Sequence, residues 1–290
     1  MTPTCVIALP RFLKRAGKIG KHLGADLIPY GPGVFLSAFQ SYTGIVAVMS
    51  AGIVVRSIAP LLGNKWTDPA VVVVSPDLAW AIPIAGGHHG ANRIARSLGE
   101  LGIRPVITTA TETAGKMSVE GIADERGLRV LNPPSTRAVN AAILDGDVPV
   151  FPVPGPGMVI AGPAVSVLLR NGEYTVGIGC RRGLPEDAIV AGIRAGLSEA
   201  GISPGDVFAY GTTVRKIRET GLVRAVESLG GNLVFLDDAA IGAQPAPTPS
   251  RAGLLGLKGV AEPCALALSM RGVLVAAKKN YGGVTLAIAR

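Results

Sequence analysis

The stretch YTVGIGCRRGLPEDAIVAGIRAGLSEA, residues 174–200, contains a whole strand, loop and helix in succession. Residues 174–178 are apolar and β-prone, as a buried strand requires. Residues 177–183 break the pattern with three glycines, and residues 185–200 return apolar side chains at helical spacing. A strand that passes through glycine into a helix is the repeating unit of a parallel, helix-covered sheet. Further strands are expected downstream at 207–210, 232–236, 272–277 and 284–289, with a proline-rich surface loop at 243–251.

Upstream of this stretch the same alternation recurs. Strands are expected at 6–9, 26–29, 45–49, 71–74, 80–84 and 105–108, and helices at 12–23, 53–62 and 88–101. Between them lies a different texture. Residues 116–173 hold Pro133-Pro134 and a proline- and glycine-rich run at 149–163, which read as loops. The expected fold is therefore α/β, with two mostly parallel, helix-covered sheets in separate lobes, residues 1–115 and 174–290, and an irregular connecting segment, residues 116–173. A chain of 290 residues is long enough for two cores.

Composition narrows the function classes. The chain is 48% hydrophobic and 17% charged, which argues for packed cores and against disorder. Lys and Arg exceed Asp and Glu by 28 to 20, so the surface favours anionic partners. Aromatics are only 4%, too few for base-stacking platforms, and nucleic acid is not an expected partner. Arg11, Lys14, Arg15, Lys18 and Lys21 have the spacing of the wet face of a helix. Cys5, Cys180 and Cys264 are isolated and form no CxxC pair, which fits a reducing, cytoplasmic setting. The first positive charges follow the first apolar run, unlike a signal peptide. No apolar stretch approaches membrane-spanning length, so no membrane partner is expected.

Two glycine loops are candidate sites. Gly86-Gly87-His88-His89-Gly90-Ala91-Asn92 lies between a strand and a helix, where backbone N–H groups can meet an anion. On that helix His88, Asn92 and Arg96 fall at i, i+4 and i+8 and share a face. A histidine there has the chemistry of an acid or base near neutral pH. No second ligand stands at HExxH spacing, which disfavours zinc. In the other loop, Gly177, Gly179, Arg181 and Arg182 offer a cradle and two guanidinium groups for carboxylates. Arg182 takes the place of the last glycine of GxGxxG, and the next strand does not end in an acid, so an NADP-dependent oxidoreductase is a weaker alternative. Cys180 reads as a small packing residue rather than a nucleophile.

Taken together, these motifs resemble the cobalamin biosynthesis protein G family. The resemblance rests on Gly52-Ile53-Val54-Val55-Arg56 with Ile58-Ala59-Pro60-Leu61, Lys65, and Asp68-Pro69-Ala70. It continues through the His88 loop and Val106-Ile107-Thr108-Thr109-Ala110-Thr111. In the C-terminal half it is carried by residues 177–183, Lys216 with Glu219 and Gly221-Leu222, Pro249-Ser250, Val260, Glu262, Lys278 and the last seven residues. The chain departs from the family pattern in a histidine loop one glycine shorter, in Gly259 and in Leu184. The resemblance implies a cobalt-precorrin-5A hydrolase, which opens a δ-lactone with water and releases acetaldehyde to give cobalt-precorrin-5B. The catalytic candidates are His88, which matches the family's histidine, Asn92 one turn further on, and His89 as a competitor, which stands where the commoner family form has an apolar residue. The resemblance implies substrate contacts from Arg56, Lys65, Gly87, Gly177, Gly179, Arg181, Arg182, Lys216 and Lys278. The partner is then an anionic cobalt-tetrapyrrole, with other enzymes of the same pathway as further candidates. Cobalt arrives in the substrate, so no protein-bound metal or cofactor is expected. A carrier of tetrapyrrole intermediates without catalysis is the other alternative.

Overall fold

The computed structural model describes residues 3–87, 90–250 and 256–290. The chain divides into two compact units, Met1–Asp124 with Asn140–Asp147, and Glu125–Val139 with Val148–Arg290.

The first unit holds β1 (Thr4–Ala8), α1 (Leu13–Leu23), β2 (Asp26–Pro29), α2 (Val34–Ser41), β3 (Gly44–Val48) and α3 (Ala51–Ile58). It continues through β4 (Ala70–Val74), β5 (Trp80–Ala85), α4 (Ala91–Ser97), β6 (Arg104–Pro105), α5 (Ala110–Thr113) and α6 (Val119–Glu125). Its sheet has the order β2-β1-β3-β4-β5-β6. All pairings are parallel except β4 with β5. Those two strands are joined by a tight turn, in which Ser75 Oγ accepts from the N–H groups of Ala79 and Trp80 at 3.1 and 3.0 Å. A turn that short returns the chain antiparallel. The central strands are apolar on both faces because helices cover both. Val6, Val46, Val48, Val72 and Val74 pack against Ile19 of α1 and Ala91, Ala95 and Leu98. Their alternating neighbours Ile7, Ile45, Ala47, Val71 and Val73 pack against Phe35 and Ala38 of α2 and Val54 and Ile58 of α3.

The second unit holds β7 (Leu128–Val130), part of α7 (Thr136–Asp145), β8 (Val150–Val153), β9 (Gly157–Ala161), β10 (Val165–Arg170), β11 (Tyr174–Cys180) and α8 (Glu186–Glu199). It continues through β12 (Val207–Thr213), α9 (Thr220–Ser228), β13 (Leu233–Leu236), α10 (Asp238–Gly242), α11 (Ala261–Leu268), β14 (Leu274–Tyr281) and β15 (Val284–Ala289). Here the structure corrects two expectations. The segment 116–173 is not irregular, since it supplies α6, α7 and an antiparallel sheet of order β7-β10-β9-β8. Its prolines sit where a sheet tolerates them. Pro152 is on β8, the outermost strand, where a missing N–H breaks no interior ladder. Nor is the other sheet mostly parallel. In the order β13-β12-β11-β15-β14, β11 and β13 run parallel to β12, while β15 runs antiparallel to both β11 and β14. The cause is the two-residue turn Gly282-Gly283, with φ of 64° and 100°. Two left-handed residues make the primed turn that closes a hairpin.

One face of this mixed sheet is covered by α8 and α9 through Ile189, Ile193, Leu197, Leu222 and Val226. The other carries α11 at very close range. A Cβ built on Gly177 would lie 1.8 Å from the Ala261 carbonyl oxygen, and one on Gly211 would lie 2.7 Å from Leu268 Cδ1. Thr175 Oγ1 donates to the Ala265 carbonyl at 2.8 Å beneath the same helix.

Gly177→Ala is therefore expected to destabilise the protein by about 3 kcal/mol or more, since an added methyl would strike helix backbone. Gly179→Ala, whose nearest neighbour would be Thr285 Cβ at 3.7 Å, should melt like the parent. Thermal unfolding of the pair checks this, and a Gly177→Ala melt equal to the parent would contradict the packing described.

Candidate functional site

In the second unit a pocket of about 790 Å³ opens where β11 and β12 end. Parallel strands direct their C-terminal loops to one edge, which is where open α/β sheets hold ligands. Its walls come from the loop after Cys180, including Arg182, and from the turn after Thr213, including Arg215, Lys216 and Arg218; Arg224 of α9 completes it. Thr213 starts the turn by accepting from the Arg215 N–H through its hydroxyl at 3.3 Å. Glu219 ties the two loops together. One carboxylate oxygen accepts from the Gly183 N–H at 2.9 Å, and the other lies 3.4 Å from Lys216 Nζ. The Gly183 bond, with help from Lys216 and Arg182 and against some burial, holds Glu219 below the usual carboxylate range.

The five cations of this pocket are unequally satisfied. Lys216 has Glu219, and Arg215 has Asp238 at 2.5 Å. Arg182, Arg218 and Arg224 are exposed and make no ion pair among the described residues. Glu186 and Glu219 also line the pocket, so its five cations outnumber its two acids, and an excess of like charge costs free energy until an anion arrives.

In the first unit, the other loop follows β5. Gly86 has φ 67°, and a Cβ there would lie 3.0 Å from the Ala70 backbone. A Cβ on Gly87 would lie 3.0 Å from Thr109 Cγ2 and 3.4 Å from Asn92 Oδ1. His88 and His89 lie outside the described residues. Asn92 is 3% exposed. Its Nδ2 donates to Thr109 Oγ1 at 3.1 Å and to Glu112 Oε1 at 2.8 Å. The other oxygen of Glu112 receives Arg96 at 2.6 Å, so Asn92 and Arg96, one turn apart, meet on one carboxylate. Asn92 Oδ1 is buried and has no hydrogen-bond partner among the described residues. A carboxylate only accepts, so Glu112 fixes which end of the amide faces it.

The remaining expected residues are dispersed. Arg56 is exposed and folds back over Gly52, where a Cβ would sit 3.5 Å from its guanidinium. Lys65 lies over the Trp66 ring and 3.9 Å from Glu120, a buried carboxylate that also accepts from Asn140 Nδ2 at 2.7 Å. Gly177 is buried inside β11, where its lack of a side chain seats α11. Gly179 lies near the strand end. Arg181 donates its N–H to the Gly283 carbonyl at 3.2 Å, and its side chain lies over that turn rather than on the pocket wall. The Lys278 ammonium is held by the carbonyls of Thr248 and Pro249. Its backbone N–H and both donors of Thr248 converge on the buried carboxylate of Glu262. Burial would raise the Glu262 pKa, but those hydrogen bonds outweigh it and lower it.

Of the residues singled out from sequence, the pocket brings together Arg182 and Lys216. It adds Arg215, Arg218 and Arg224, which sequence reading missed because a surface arginine has no signature apart from its neighbours. Glu112 was missed for the same reason. Burial pushes the Cys180 thiol up, and Cys5 and Cys264 up to about 12, so the three are poor nucleophiles. Among the described residues no group of three or more His, Cys, Asp and Glu side chains is placed to hold a metal. No helix among them is long and apolar enough to cross a membrane.

Residues 33–112 match the family described as Cobalamin synthesis G N-terminal, and residues 174–289 match Cobalamin synthesis G C-terminus. A cobalt-precorrin-5A hydrolase of Priestia megaterium is 28% identical over 300 residues of alignment, covering 87% of this chain and 80% of that protein. A cobalt-precorrin-5A hydrolase of Salmonella typhimurium is 40% identical over 95 residues, covering 32% of this chain and 27% of that one. Among solved structures, cobalamin biosynthesis protein chiG from Agrobacterium tumefaciens is 33% identical, covers 40% of this chain and 95% of its own, and has a TM-score of 0.33. With one family matched in order by both halves of the sequence, this chain belongs to the cobalamin synthesis G family.

Proposed function

We propose that this chain is a cobalt-precorrin-5A hydrolase, acting on an anionic cobalt-tetrapyrrole in the cytoplasm. Water adds to the δ-lactone carbonyl and the acyl C–O bond breaks, leaving a carboxylate and an alcohol. Loss of the alcohol proton then lets the adjacent C–C bond break. Acetaldehyde departs, and the electron pair passes into the macrocycle, which is protonated to give cobalt-precorrin-5B. The conjugated ring is the electron sink and cobalt belongs to the substrate, so the protein's share is placement, desolvation and proton transfer.

The observation that supports this best is the pocket at the ends of β11 and β12, which gathers four arginines and a lysine, three of the arginines in no ion pair among the described residues. A substrate bearing several carboxylates supplies their anionic partners. Arg182 and Lys216 act as anchors in this scheme, because a guanidinium stays protonated at working pH and is a poor base. His88 is the proposed general base, and His89 the competing one. Asn92, held by Glu112, stands in the first turn of α4, just after that loop. Arg56, Lys65, Gly87, Gly179, Arg181 and Lys278 remain proposed contacts, and Gly177 acts through packing.

Incubation with cobalt-precorrin-5A should release one acetaldehyde per substrate consumed. Tight binding with no acetaldehyde would instead indicate a carrier. Arg182→Ala and Arg224→Ala should each raise KM, by an amount corresponding to about 1–3 kcal/mol, with kcat little changed. Unchanged KM in both would remove them from the site.

His88→Ala should lower acetaldehyde release by about 10²–10⁴-fold with affinity largely kept, and His89→Ala should do less. A His88→Ala variant that turns over like the parent across a pH series would send the search for the base elsewhere.

A further inference from the structure

Residues 214–219 carry more order than a charged surface turn needs. Val214–Lys216 form one 3₁₀ turn and a second i→i+3 bond closes the turn that follows: Ile217 N–H donates to the Val214 carbonyl at 3.1 Å, and Glu219 N–H to the Lys216 carbonyl at 3.0 Å. With three residues per turn, side chains at i and i+3 stand one above the other. The segment Val-Arg-Lys-Ile-Arg-Glu therefore presents three stripes. Lys216 and Glu219 form an i,i+3 ion pair, 20% and 16% exposed, and Glu219 pins that stripe to the Gly183 N–H. The other two stripes are turned outward. Arg215 and Arg218 make one, and both line the pocket. Val214 and Ile217 make the other, 41% and 58% exposed.

Two large aliphatic side chains held in water beside a guanidinium stripe are wasteful in a site for a simple anion. Phosphates or small carboxylates would use the arginines and leave Val214 and Ile217 idle. The arrangement suits a ligand with an apolar face and carboxylates at its rim. We propose that residues 214–218 form a ledge that takes the face of a polycarboxylated macrocycle on Val214 and Ile217, while Arg218, with Arg182 and Arg224 across the pocket, holds its rim carboxylates. This rests on the hydrolase reading and extends it, by assigning ring and rim to different stripes of one turn. Glu219 is the positioning residue: by fixing the third stripe, it sets where the other two face.

The test is direct binding to the full chain, with no turnover required. The probes are uroporphyrin, an eight-carboxylate tetrapyrrole free of cobalt, and mellitate, a six-carboxylate benzene with little apolar face, followed by fluorescence and calorimetry. Parent protein should bind uroporphyrin at least about tenfold more tightly than mellitate. Ile217→Ser should weaken uroporphyrin by about tenfold and leave mellitate unchanged, whereas Arg218→Ala should weaken both by about tenfold. Ile217 is 58% exposed, so its replacement should not disturb the fold, and the parent-like melting of Ile217→Ser serves as the control.

Equal affinity for the two probes, no uroporphyrin binding up to about 1 mM, or an Ile217→Ser variant that binds uroporphyrin like the parent would each overturn the ledge. Displacement of uroporphyrin by micromolar NADP would reassign the pocket to a dinucleotide. A parent that binds uroporphyrin as described but releases no acetaldehyde from cobalt-precorrin-5A would sink the hydrolase reading alone.

Discussion

The contact on which the second unit depends is the close seating of α11 on β11 and β12. Backbone meets backbone there because Gly177 and Gly211 have no side chains to hold the helix off. The two glycines are register partners on adjacent parallel strands, so the strands offer one shared depression. Thr175 adds a hydrogen bond to the Ala265 carbonyl from below. With α11 set so low, β11 and β12 become the buried centre of the sheet, and their C-terminal ends become the fixed points from which Arg182 and the 214–219 turn project. Electrostatics at the pocket then has a rigid base, which is the condition for charges to be useful rather than merely repelling one another.

Acids do the arranging in both glycine-loop regions. Glu219 joins a loop amide to a lysine and so aligns a turn. Glu112 receives Asn92 and Arg96 and so orients an amide. Glu262 does a third version, gathering Thr248 and the Lys278 backbone around a buried carboxylate. Glu219 and Glu262 each accept from two separate segments, whereas Glu112 accepts twice from α4. Charge-assisted bonds of this kind are short and directional, and they convert loose loops into fixed geometry.

Much of the α/β alternation could be read from sequence, because short valine-rich runs bounded by prolines, such as 70–74, read as strands covered on both faces. The Gly282-Gly283 pair likewise marks its own hairpin. The antiparallel sheet in residues 128–170 was hidden because its prolines and Gly155 look like loop residues unless one knows that β8 is an edge strand. Gly177 was misleading for the opposite reason: a glycine that admits a helix and a glycine that admits a ligand are the same letter. The three-residue period of 214–219 was too short to separate from chance, and the gathering of Arg182, Arg218 and Arg224 around one pocket exists only in three dimensions.

The position of Pro152 on β8 has a consequence beyond pairing. That outermost strand exposes Val150 and Phe151, at 51% and 54%, beside an open row of backbone groups. An apolar edge of this kind is a template on which another extended chain can add and grow into aggregates. Proline withholds an N–H from such a template, and Pro149 and Pro154 bracket the strand and keep it four residues long. The residues that obscure this strand in the sequence are thus the ones that keep it from recruiting neighbours when the protein is concentrated.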